Sequence, residues 1–227
     1  AKGAPEALVS ISALSSAETT AIENAIEAMA RDGYRILAVA EADFEGTDFP
    51  EKQQYLSFRI KGLVAFYDPP KQNIQQVLQD FYTAGIQVKI VTGDNAATTT
   101  SIAKEIGFRG WEKSITGEAL MKLSDAELRA TVSNTHLFTR MFPDAKLKII
   151  NALKEQQEIV AMTGDGVNDG PALKAAHIGI AMGQKGTEIA KQAASLILLE
   201  DDLSKMVEAV AMGRRIYSNL KKAIQYI

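Results

Sequence analysis

Residues 162–183 read MTGDGVNDGPALKAAHIGIAMG: two aspartates (Asp165, Asp169), Asn168 and five glycines, following directly on the apolar run IVAMT. A second string of the same kind, IVTGDN, occupies 90–95. Each places a threonine, a glycine and an aspartate at the end of an apolar strand, just before a helical pattern. Free N–H groups at a helix start, together with the helix dipole, favour phosphate. Carboxylates beside a phosphate repel it unless a hard cation lies between them. The expected chemistry is therefore a Mg²⁺ site with Asp165 as ligand and Asp169 beside it, where glycines let backbone approach the ligand closely. A third string, TRMFPDAKLKII (139–150), supplies positive charge: Pro143 starts a helix whose first turn carries Lys146. A lysine there can neutralise charge on a transferring phosphoryl group, for which positioning and electrostatics are most of the catalysis.

The elements that must position these groups follow from periodicity. Ser15 and Ser16 are plausible caps for a helix with Ile22, Ile26 and Met29 on one face, ended by Gly33. YRILAVAEA alternates as a strand, and YLSFRIKGLVAFYD reads as one long strand or two short ones, closed by Pro69 and Pro70, which mark a hinge or boundary. Beyond the prolines, helices alternate with short apolar strands. A helix over 73–84 leads to strand IQVKIV and a helix over 95–106. Strand HLFTRM then leads to a helix over 144–156, EIVAMT to GPALKAA, and IGIAM to GTEIAKQAA, with SLILL following. Continuous apolar strands between helices predict an α/β fold, a parallel sheet covered on both faces, with ligands beyond the carboxyl ends of its strands.

Composition narrows the function classes. The 227 residues are 46% hydrophobic, enough for one large or two modest domains with real cores. A net charge of −3 argues against general nucleic-acid binding, and the absence of cysteine removes disulfide scaffolds and thiolate zinc sites. No apolar run reaches the ~18 residues of a membrane span, and AKGAPEALV has no signal-peptide pattern, so neither element is expected in this chain. From Leu203 the apolar residues Met206, Val207, Val210, Ile216, Leu220, Ile224 and Ile227 continue at helical spacing, with Asp201 and Asp202 at the cap and Arg214, Arg215, Lys221 and Lys222 along the rod. His136 and His177 lack metal-spaced partners and read as structural histidines. Trp111, beside Gly107 and Gly110, reads as packing or a loop aromatic.

TGDGVND, PALK and IGIAMG, with TGDN upstream, KGAPE at the start and DPPK at the boundary, resemble the P-type cation-transporting ATPases, whose phosphorylation domain belongs to the haloacid dehalogenase superfamily. The resemblance runs along essentially the whole chain. It implies a parallel, Rossmann-like sheet of haloacid dehalogenase type plus part of an α+β nucleotide-binding domain. The expected divisions are 1–60 for the closing part of the nucleotide domain, 61–215 for the phosphorylation domain without its first strand, and 216–227 for a stalk leading to the membrane. The implied ligands are ATP and Mg²⁺, with a transported cation, calcium-like by overall resemblance, bound in membrane helices elsewhere. The implied location is the cytoplasmic face of a membrane.

By the same resemblance Lys2 and Gly3 lie beside the adenine, Arg35 reaches the nucleotide phosphates, and Thr92, Gly93 and Asp94 make phosphate and ribose-side contacts. Arg140 is a further nucleotide contact, Lys146 the phosphate-neutralising lysine and Asp165 the Mg²⁺ ligand. Asn168 and Asp169 support it, so that Thr92, Lys146 and Asp169 form the catalytic set and Asp165 and Asp169 the metal set. Gly170 stands where the family usually has alanine, and His177 where it usually has an acidic or small residue. The family's phosphorylated DKTGT motif is absent from these residues. The strand bearing it would lie between the TGDN and TGDGVND strands, so those two are expected to pair directly, to accept a substitute from the first 60 residues, or to be completed by another chain. Two other readings are a soluble phosphatase of this superfamily acting on a small phosphorylated metabolite, and a nucleotide-binding regulatory module.

Overall fold

The computed structural model describes residues 1–226, with all side chains but that of Gln53; Ile227, the last apolar position of the predicted tail helix, lies outside the described residues. The chain divides into two units: residues 1–70 with 94–102, and residues 71–93 with 103–227. Residues 1–70 of the first unit include the strand that ends at Phe66 and pairs back onto its predecessor.

In the first unit, β1 (Lys2–Gly3), β2 (Arg35–Glu41) and β3 (Arg59–Phe66) form an antiparallel sheet in the order β1-β2-β3. Helices α1 (Pro5–Ser10) and α2 (Ser16–Arg31) precede β2. The α2 start is closed by a capping box, Ser15 accepting from the Glu18 amide and Glu18 accepting from the Ser15 amide, and Gly33 leaves the helix with φ +81°. Leu8, Ala38, Ala40 and Phe58 make the core.

The second unit holds the parallel strands. After α3 (Ile74–Thr83) come β4 (Ile90–Val91) and α4 (Ala96–Glu105), whose residues through Ile102 count with the first unit. Next are β5 (Ser114–Thr116), α5 (Gly117–Met121) and α6 (Asp125–Asn134), a stretch for which the sequence analysis predicted no element. Then follow β6 (Leu137–Thr139), α7 (Pro143–Glu155), β7 (Ala161–Gly164), α8 (Gly170–Ala175), β8 (Ile178–Met182), α9 (Glu188–Ala193), β9 (Leu196–Leu198) and α10 (Ser204–Tyr226).

Two parallel three-stranded sheets result, β4-β6-β5 and β7-β8-β9. One core serves both: Phe138 of β6, Met162 of β7 and Ala181 of β8 join Ile149, Leu153 and Leu173 from α7 and α8, with Val91 of β4 packed against them. The strands before TGDN and TGDGVND are therefore each an outer strand. Among the described residues they pair neither with each other nor with a strand from residues 1–60, whose strands pair among themselves. Direct pairing and a substitute strand from residues 1–60 are both ruled out as ways of closing the sheet.

Candidate functional site

The carboxyl ends of β4 and β6 are laced together. The Thr92 amide donates to the Phe138 carbonyl at 2.9 Å and the Met141 amide to the Thr92 carbonyl at 2.9 Å. This holds Thr92 and Gly93 beside the exit of β6, from which Arg140 emerges exposed, with φ +49°. The left-handed turn directs the Arg140 carbonyl at α5, where a Cβ on Gly117 would lie 2.6 Å from that oxygen; only glycine fits there without a shift. Sequence reasoning missed Gly117, because the reason for it is a neighbour 23 residues away.

Pro143 opens α7, and Lys146 in its first turn reaches across to the loop after β7. Its ammonium donates to Asp169 Oδ1 at 2.7 Å, and the two side chains are 12% and 10% exposed. Asp169 Oδ2 accepts the amides of Gly166 (3.1 Å) and Asp165 (3.3 Å). One carboxylate thus holds the lysine and shapes the acidic loop. Charge-assisted bonds of this kind are about twice as strong as neutral ones, and a nearly buried ion requires such partners. Gly164 makes the packing possible, since a Cβ there would sit 2.5 Å from the Asp169 Cβ.

Asp165 and Asn168 are exposed on the same loop. The Asp165 carbonyl accepts the Thr187 amide at 2.8 Å. Thr92, Lys146 and the Asp165 loop are brought to the carboxyl ends of the strands of one unit, Lys146 and the loop through their shared bonds to Asp169.

The donor set suits a hard cation, being oxygen only, with the exposed Asp165 carboxylate as its acidic member. Asp169 is occupied by Lys146 and two amides. No group of three or more His, Cys, Asp or Glu side chains that could hold a metal gathers among the described residues. Mg²⁺ takes one or two carboxylates and fills its remaining positions with water and substrate oxygens, so a site on this loop would rest on the Asp165 carboxylate.

Lys2, Gly3, Arg35 and Asp94 fall in the first unit. Lys2 and Gly3 form β1, paired with Val39 and Ala38. Arg35 Nε stands 3.8 Å from Asp94 Oδ1, both side chains largely exposed, a pairing worth little by itself. His177 Nδ1 accepts the Val160 amide at 3.1 Å and His136 Nδ1 lies 3.2 Å from the Val88 carbonyl, which are structural duties. Trp111 lies under the Lys104 ammonium at 5.4 Å. Gly170 needs no glycine: a Cβ would meet Ile189 Cγ2 at 3.7 Å, ordinary contact.

Parallel strands that carry an acidic glycine-rich loop and a lysine at their carboxyl ends define a class, and the chain belongs to it: residues 4–177 match the haloacid dehalogenase-like hydrolase family. Within that class the chain is similar to cation pumps. It is 39% identical to calcium-transporting ATPase 1 of Bacillus cereus over 96% of this chain and 24% of that protein. It is 43% identical to the endoplasmic reticulum-type calcium-transporting ATPase 4 of Arabidopsis thaliana over 82% of this chain and 19% of that protein. It is also 40% identical to cation-transporting ATPase pma1 of Synechocystis over 91% and 23%. The chain therefore spans about a quarter or less of the length of these relatives, and they agree with the resemblance carried by its motifs. No helix among the described residues is long and apolar enough to cross a membrane.

Proposed function

We propose that this chain is the ATP-handling portion, on the cytoplasmic face, of a P-type cation-transporting ATPase, coupling phosphoryl transfer from Mg-ATP to ion movement across a membrane. The observation that carries the reading is the Lys146–Asp169 pair. It anchors a lysine and an acidic loop at one strand end, in a chain whose similarity to cation-transporting ATPases covers 96% of its residues. That extent favours a pump over a soluble phosphatase, which needs neither the β1-β2-β3 unit nor α10. The calcium-transporting names of two relatives support calcium as the cargo.

In this reading the Asp165 carboxylate holds Mg²⁺, which when bound screens the charge of the phosphoryl oxygens. Asp169 holds Lys146 aimed, so that the ammonium faces the transferring group as charge develops. Thr92 and Gly93 supply a hydroxyl and an amide to phosphate oxygens, and Asn168 an amide side chain. Lys2, Gly3, Arg35, Asp94 and Arg140 contact the nucleotide. The acceptor aspartate belongs to a strand between β4 and β7, contributed by another part of the full-length protein. Asp165→Asn in the full-length protein is expected to lower Mg²⁺-dependent ATP hydrolysis by about 100-fold or more. Unchanged Mg²⁺-dependent hydrolysis would remove Asp165 from the metal site.

A further inference from the structure

Asp201 follows β9 and does not do what its position before a helix suggests. Capping of α10 falls to its neighbour: Asp202 Oδ1 accepts the Ser204 amide at 2.9 Å and the Asn73 side-chain amide at 3.0 Å. Asp201 itself is 6% exposed and holds φ +54°, a left-handed conformation in a residue other than glycine. That conformation is unfavourable for a residue with a Cβ and persists only where surroundings impose it.

Those surroundings point the carboxylate back at the loop after β8. Oδ1 accepts the Gln184 amide at 3.0 Å and Oδ2 the Lys185 amide at 2.9 Å, while the Asp201 carbonyl accepts the Lys71 ammonium. Burial works to raise the Asp201 carboxyl, but the amides of Gln184, Lys185 and Gly183 and the Lys71 charge outweigh it and hold it below the ordinary carboxylate range. The loop is drawn tight elsewhere too. The Gly183 amide donates to the Leu198 carbonyl at 2.9 Å, and a Cβ on Gly186 would fall 1.9 Å from the Met182 carbonyl oxygen. At its far end the Thr187 amide donates to the Asp165 carbonyl at 2.8 Å, so this loop is the brace of the acidic loop after β7.

We propose that Asp201 is a positioning residue for Asp165: it clamps the 183–187 loop that braces the Asp165 backbone, and so ties the amino end of α10 and the Lys71–Asn73 segment to the acidic loop. Where it concerns the cation, this rests on the reading of Asp165 as the Mg²⁺ ligand. The helix packs on α3, and its residues from 211 to 226 are exposed.

Asp201→Asn keeps the shape but replaces one of the two acceptor oxygens with a donor. In the 227-residue chain, amide hydrogen exchange at Gln184, Lys185 and Thr187 is expected to speed up at least about tenfold, with Thr92 unchanged. Lys71→Met, which leaves the carboxylate intact, is expected to shift Thr187 the same way by about threefold, and it decides the matter should the first variant fail to fold. Faster exchange at Gln184 and Lys185 with Thr187 unmoved would overturn the proposal, as would no change at all. In the full-length protein Asp201→Asn is expected to raise the half-saturating Mg²⁺ for ATP hydrolysis about fivefold or more, with half-saturating ATP at excess Mg²⁺ unchanged. A role in folding alone would lower the amount of active protein and leave both constants as they were, and that result would overturn the positioning role. Wild-type protein without Mg²⁺-dependent ATP hydrolysis would count against the pump reading, while the exchange measurements on the isolated chain would still decide the role of Asp201.

Discussion

Lys146 and Asp169 bring opposite charges together at 2.7 Å with little water around them. Removing one partner of such a pair leaves the other desolvated and uncompensated, which costs about 3 kcal/mol, whereas removing both costs less than the sum. Asp169→Asn is therefore expected to destabilise the chain by about 3 kcal/mol in urea unfolding, and Lys146→Met by a similar amount. The double variant should recover about 1–2 kcal/mol of the combined loss. Strict additivity would show that the pair is not coupled. Both residues stood out in the sequence by their motifs, but their bond did not, because it joins side chains 23 positions apart through the packing of α7 against α8. The aspartate read as a metal group beside Asp165 has a lysine and two amides as its immediate partners.

At the scale of elements, the loop between β7 and α8 is shaped by one glycine more than by its others. A Cβ at Gly164 would lie 2.5 Å from the Asp169 Cβ, whereas a Cβ at Gly166 would find nothing nearer than Asp169 Oδ2 at 3.6 Å. Gly164→Ala is expected to cost about 1–3 kcal/mol in thermal unfolding, and Gly166→Ala clearly less. Equal losses would mean that the loop owes its form to something other than contact with Asp169. Helix boundaries were legible to within one or two residues wherever a cap or proline marked them, as at Ser15 and Pro143. IGIAM is a strand over its whole length, whereas IQVKIV yields only Ile90–Val91, since a residue counts as strand only where a neighbour offers hydrogen bonds. Residues 114–134 carried β5, α5 and α6 unnoticed, since the capping box of Ser124 and Glu127 was the clearest signal there and was not read.

Over the whole molecule, the outer strands β4 and β7 leave one edge each without a ladder partner among the described residues, and the loops that follow them carry Thr92, Gly93, Asp165 and Asn168. Unpaired backbone N–H and C=O groups buried away from water cost ~1–3 kcal/mol each, so a strand that fills this place has a large favourable term available to it. The 227-residue chain incubated with γ-labelled ATP and Mg²⁺ is expected to yield no acid-stable, hydroxylamine-sensitive acyl phosphate, whereas the full-length protein should yield one. Label on any aspartate of this chain would refute the proposed placement of the acceptor outside these residues.

Sequence alone determined the local chemistry: which strand ends carry TGD and GDGVND, and which helix start carries Lys146. It could do so because a strand, a cap and a glycine turn are decided within a few residues by periodicity and backbone freedom. Tertiary structure decided what those groups meet. Asp169 turns to Lys146, Gly117 yields to the Arg140 carbonyl, and Asp201 bonds the loop after β8 while Asp202 caps α10. Each of these depends on distances set by the packing of elements far apart in the chain, and no local pattern encodes such a distance.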